Sequence, residues 1–166
     1  TSLALCANFN TSKVTDMQSM FNQCRELTSL CLGDNFNTKI VEKMSSMFFN
    51  CGSLTILDLG DNFNTSKVSD MQNMFKGCAY LRTILVNQDF VLLHPGVNST
   101  DMFYDCLSLV GGKNTKYSNS YKNDASYARI DGSEGKPGYF TKRFTSNGSM
   151  SGESGPQNGG KLVLKK

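Results

Sequence analysis

Four phenylalanines, Phe9, Phe36, Phe63 and Phe90, stand 27 residues apart. The sequence between them repeats. Residues 9–35 read FNTSKVTDMQSMFNQCRELTSLCLGDN, residues 36–62 read FNTKIVEKMSSMFFNCGSLTILDLGDN, and residues 63–88 read FNTSKVSDMQNMFKGCAYLRTILVNQ. A period between about 20 and 50 residues marks stacked structural repeats, each touching only its neighbours. The period therefore predicts a solenoid of about four coils.

Each unit has two halves. Val14, Met17, Met20, Phe21 and Cys24 recur at helical spacing, so a short helix is expected here. Ser12 or Thr11 would serve as its N-cap, with Asp16 in the first turn. Leu30-Cys31-Leu32 reads as a short strand, ended by a turn at Gly33-Asp34-Asn35. The second unit keeps these slots at Val41, Met44, Met47, Phe48, Cys51, Leu54, Leu57 and Leu59. The third keeps them at Val68, Met71, Met74, Phe75, Cys78, Leu81, Ile84 and Val86. The expected class is α/β: helices on one side and a parallel sheet on the other. The fourth unit degenerates around His94 and Pro95, then recovers Met102, Phe103, Cys106 and Leu109 after one inserted residue.

Three regions follow from this pattern: the solenoid (1–112), an aromatic-rich, non-repeating cap (113–145) and a Gly/Ser-rich linker and tail (146–166). A capping role suits residues 113–145, because the last coil of a solenoid otherwise exposes its core. The tyrosines there could alternatively stack on sugar. Leu3, Leu5 and Asn8 align with Leu30, Leu32 and Asn35, so the chain opens inside the pattern and reads as a fragment.

Catalytic chemistry is not indicated. Cys24, Cys51, Cys78 and Cys106 follow the repeat, so each reads as a small buried hydrophobe. The same slotting makes the methionines core-fillers. With one histidine and no CxxC, no metal site is expected. A Cys6–Cys31 disulfide would be strained, the two lying two residues out of register. Residues 155–161 spell the start of a P-loop, but Leu162 stands where Ser or Thr belongs. The carboxylates are scattered, and Asp58 stands alone on its strand. A net charge of +3 is too balanced to imply nucleic acid, and no apolar run is long enough to insert in a membrane.

The unit FNTSKVxDMxxMFxxCxxLxxLxL resembles the BspA-like leucine-rich repeat of bacterial surface proteins, from Leu3 to Leu109. Residues 127–132 and 137–141 also look like the C-terminal end that follows such repeats. The resemblance implies a right-handed leucine-rich solenoid, secretion, cell-surface attachment, and adhesion or host contact. It carries no shared catalytic residues and no cofactor.

Side chains alternate along a strand, so the inward Leu30 and Leu32 turn Ser29 and Cys31 outward. The equivalent outward positions are Ile56 and Asp58, then Thr83 and Leu85. These six form the expected binding ladder, bordered by the Asp34–Asn35, Asp61–Asn62 and Asn87–Gln88 turns. The chain is thus expected to be a monomeric, non-enzymatic, extracellular cell-surface module that binds a host or matrix protein or glycan. The alternative is a structural spacer that displays another domain.

Overall fold

The computed structural model describes residues 1–5, 8–87, 90, 96–121 and 125–143. Cys6, Gln88, the His94-Pro95 break and the whole 146–166 tail, with its P-loop-like stretch, lie outside the described residues.

Five strands form one parallel sheet in chain order: β1 (Ser2–Ala4), β2 (Ser29–Cys31), β3 (Ile56–Asp58), β4 (Thr83–Val86) and β5 (Phe140–Lys142). The first four are spaced by the repeat, pairing Ser2 with Ser29, Cys31 with Asp58, and Ile56 with Thr83. Leu30, Leu57 and Ile84 point into the core, which is a single continuous cluster along the stack.

The expected helices are absent from the described repeats; Val14–Cys24 and its counterparts run as consecutive turns. Their closures span three residues, as in Val14 N–H to Thr11 C=O, Met20 to Met17, Cys24 to Phe21 and Leu27 to Cys24. Between these closures, Ser19 and Gln23 adopt left-handed φ values of 58° and 60°. Ser46, Asn50, Asn73 and Gly77 repeat that conformation in the next two coils. Each such residue swings its N–H out of its own coil. The N–H groups of Met17, Ser19, Phe21 and Gln23 donate to the carbonyls of Lys43, Ser45, Met47 and Phe49, and those of Met44, Ser46, Phe48 and Asn50 to Asp70, Gln72, Met74 and Lys76.

Spacing explains why turns win. Strands of one sheet lie about 4.8 Å apart, whereas an α-helix with side chains is about 10 Å wide. A helix in every coil would force the two walls to diverge. The rings of Phe21, Phe48, Phe75 and Phe103 instead stack at centroid spacings of 5.4, 5.6 and 5.7 Å, nearly parallel. The helical periodicity in the sequence is that of turns closing every three residues, which also buries positions three and four apart.

Two further ladders join the coils. Thr11 Oγ1 donates to Asn37 C=O (2.8 Å) and accepts from Asn37 N–H (2.7 Å), and Thr38 does the same with Asn64. These threonines are buried rungs between coils rather than helix caps. Asp16 likewise accepts from Gln18 N–H in a local turn. The Cys51, Cys78 and Cys106 thiols donate to the carbonyls of Phe21, Phe48 and Phe75, one coil back, at 3.0–3.1 Å. Burial first, and then the neighbouring Cys24 thiol, pushes Cys51 up to about 12; burial also raises Cys78 and Cys106. Thiolate is the reactive form. In the native protein at pH 8, thiol-labelling reagents should therefore modify exposed Cys31 and leave Cys51, Cys78 and Cys106 until unfolding, as read by peptide mass mapping.

The fourth coil keeps its wall: Met102, Phe103, Cys106 and Leu109 are buried. Its place in the sheet is filled differently. The chain leaves at Gly111, passes through three short 3-10 turns (Asn119–Tyr121, Ala125–Tyr127 and Ser133–Gly135) and returns as β5 beside β4. Tyr139 and Phe140 then pack edge-on against Phe103, at 5.1 and 6.1 Å between centroids. Asp131 ties this excursion together. Its carboxylate accepts from Lys113 N–H (2.8 Å), Thr115 N–H (3.0 Å), Thr115 Oγ1 (2.6 Å) and Gly138 N–H (3.2 Å). Gly111 and Gly138 permit the approach: a Cβ on Gly111 would overlap Gly138 C=O and the Asp131 side chain, and one on Gly138 would overlap the Arg129 carbonyl.

Candidate functional site

Strand alternation sets the outward ladder. Pairing aligns Ala4, Cys31, Asp58, Leu85 and Thr141 in one row across all five strands. Beside it, Ile56 pairs with Thr83. Ser29, Cys31 and Ile56 are exposed, Ile56 by 51% of its surface. Asp58, Thr83 and Leu85 are half-buried.

Asp58 does not stand alone. Arg143, just past β5, donates Nε to Asp58 at 3.0 Å and Nη1 to Asp61 at 2.7 Å. The Asp61 hydrogen bond, with the charges of both aspartates, outweighs partial burial and holds the guanidinium firmly protonated. Its backbone N–H is anchored on Val86 C=O at 2.7 Å. Arg143 thus reaches from the end of β5 to β3. On the repeat alone, the slots flanking Asp58 hold Cys31 and Leu85, neither of them a cation. Its partner comes from outside the repeat, at a sequence distance of 85 residues.

The ladder is therefore a mixed surface: an apolar pair, Ile56 and Leu85, a free thiol at Cys31, two hydroxyls, and a carboxylate already neutralised. Such a set can bury apolar area and accept or donate a few hydrogen bonds.

Around the corner from the sheet lies an open groove of about 340 Å³ that the sequence reading did not find. It is lined by Asn37, Lys39, Asn62, Asn64, Asn87 and Phe90, among others. Its amides are partly committed to structure. Asn37 Oδ1 accepts from Lys39 N–H, Asn64 Oδ1 from Ser66 N–H and Oγ, and Asn62 Nδ2 donates to Asp34 C=O. The signal for this groove was the recurrent Asn in each FNT and GDN turn, which reads as turn chemistry until neighbouring turns stack.

Among the described residues, no group of three or more His, Cys, Asp or Glu side chains could hold a metal ion. No helix among them is long and apolar enough to cross a membrane. Tyr121 stacks on Tyr127 at 4.3 Å and Tyr127 packs on Tyr139 at 5.0 Å, so these rings of the C-terminal segment largely face one another.

No curated protein and no solved structure matches the chain. Its sequence does match one family over residues 3–117, the repeats and the start of the segment after them. The chain belongs to the family described as "Mycoplasma protein of unknown function, DUF285".

Proposed function

We propose that this protein is a non-enzymatic binding module, and that its coils are leucine-rich repeats of the BspA-like kind. Its site is the outward sheet face, and its partner is a protein or glycan of the host or extracellular matrix, met at the cell surface.

One observation carries this reading. Positions that build the coil are nearly invariant between repeats and, in the second and third coils, buried, whereas the outward row changes from Cys31 to Asp58 to Leu85 while staying in register. A face that varies over a fixed frame can carry specificity without disturbing the fold. Ile56 and Leu85 supply its apolar anchor, since interface energy concentrates in a few well-buried residues. The rival reading is a spacer that holds another domain outward. The Arg143 pair favours it, because the one charged ladder position is turned inward on the protein itself.

Binding of the protein to a panel of immobilised matrix proteins and glycans separates the two. A binding module gives saturable binding, and Ile56→Lys lowers the affinity at least tenfold with an unchanged melting temperature. A spacer gives none. Binding that survives Ile56→Lys but is lost in Asn64→Ala would move the site to the asparagine-lined groove.

A further inference from the structure

The turns that build the frame also fix the amides of the asparagine-lined groove. Asn37 and Asn64 are equivalent positions, each directly after the phenylalanine that opens its coil. Asn37 Oδ1 accepts from Lys39 N–H at 2.9 Å, and Asn64 Oδ1 accepts from Ser66 N–H at 2.9 Å and Ser66 Oγ at 2.6 Å. An amide whose oxygen is tied down in this way has its N–H donors left over. Among the described residues, nothing accepts from Asn37 Nδ2 or Asn64 Nδ2. Asn62 is held the other way round. Its Nδ2 donates one coil back to Asp34 C=O at 2.8 Å, and no described residue donates to its Oδ1. Two amide donors and an amide acceptor therefore line one groove.

Little free charge accompanies them. Asp61, the one carboxylate among the described lining residues, is bound by Arg143 Nη1 at 2.7 Å. Lys39 is the one cation, and it is exposed. Phe90 flanks the groove half-buried, its ring held edge-on against Phe140 at 5.3 Å between centroids.

We infer that this groove binds a neutral, linear glycan, with successive sugar units set against the second and third coils. Each sugar hydroxyl donates and accepts at once, so a chain of them suits fixed amide donors lying beside an amide acceptor. The apolar face of a pyranose ring can pack on Phe90. Asn37 and Asn64 stand one coil apart, about 4.8 Å at strand spacing, which is close to the length of one sugar unit in an extended chain. The volume of about 340 Å³ lies at the lower end of the range for ligand sites, and the groove is open rather than enclosed. Other ligand classes fit less well. Phosphate or sulfate recognition rests on charge-assisted hydrogen bonds from cations, and the groove has one. An apolar peptide side chain needs open apolar area, and Phe63 on the lining is only 3% exposed. Ile56 is not among the lining residues, so this site goes beyond the sheet face and does not depend on it.

The test is calorimetric titration of the protein with cellotetraose, chitotetraose and maltotetraose, with NMR of the side-chain amides alongside. At least one of these neutral tetrasaccharides should bind equally at low and high salt and shift the Asn37 and Asn64 Nδ2 resonances. Asn37→Asp and Asn64→Asp keep the oxygen that closes each turn and remove the amide donor. Each should weaken binding at least tenfold at an unchanged melting temperature, and Ile56→Lys should bind as the parent does. If an Asp variant melts earlier, the amide shifts in the parent decide. The inference is overturned if no tetrasaccharide binds, if binding disappears at high salt, or if the Asp variants bind like the parent. It is also overturned if Ile56→Lys abolishes binding, since the sugar then lies on the sheet face.

Discussion

Phe48→Ala is expected to cost about 3–5 kcal/mol of unfolding free energy, the range for truncating a buried aromatic. Phe48 is fully buried and stacked on both sides, at 5.4 Å from Phe21 and 5.6 Å from Phe75. Removing it opens a cavity that neither neighbour can fill, because each is held in its own coil by wall hydrogen bonds. Domains of this size are stable by only about 5–15 kcal/mol, so the variant would stand near the edge of folding. Tyr80→Ala, at a side chain 68% exposed, should stay within about 0.5 kcal/mol of the parent. Urea unfolding of the two variants checks the contrast. Equal, small losses would mean that the phenylalanine column does not hold the coils together.

The second large effect is expected at Asp131. Asp131→Ala removes the acceptor of four hydrogen bonds and leaves the donors of Lys113, Thr115 and Gly138 to find other partners. Unsatisfied buried donors cost about 1–3 kcal/mol each, and some here can reach water, so a loss of about 2–4 kcal/mol is expected. Asp131→Asn keeps one acceptor and should lose less.

The same residue imposes a pH dependence. Burial alone would raise its carboxyl, but the Thr115 hydroxyl and the Thr115, Lys113 and Gly138 N–H groups outweigh it and hold the carboxyl below the ordinary 3.8. A carboxyl depressed by folding contributes stability that is complete above its unfolded value and is lost as pH falls through the folded one. Unfolding free energy measured from pH 6 down to pH 2 should therefore drop below about pH 4 in the parent. That component should be missing in Asp131→Asn. Parallel acid profiles for the two would contradict the assignment.

The frame of the molecule is legible because it is written three times nearly unbroken and once in part. Leu30, Leu57 and Ile84 announced the sheet and its register, and Phe21, Phe48 and Phe75 announced a common slot. Three features were not legible, each for a physical reason. The wall was mistaken for helix because turns closing every three residues bury the same positions as an amphipathic helix. Only the spacing of neighbouring coils separates the two, and one repeat cannot show it. The fifth strand escaped because Phe140–Lys142 carries no repeat signature; it joins the sheet through the Asp131 knot and the glycines at 111 and 138. The Asp58–Arg143 pair has no signal in the repeat, because Arg143 becomes a neighbour only when that strand has docked. Within the ladder, Ser29, Cys31 and Ile56 stand exposed as alternation required, while Thr83 and Leu85 are half-covered.

The stacked-turn wall is tested most directly by through-hydrogen-bond NMR couplings at Phe48. The structure pairs its N–H with Met74 C=O in the next coil, at 2.9 Å. A coupling from Phe48 N–H to Met74 C=O, with none to Met44, is the expected result. A coupling to Met44, four residues back, would mean that the segment is a helix and that the coils are not joined as described.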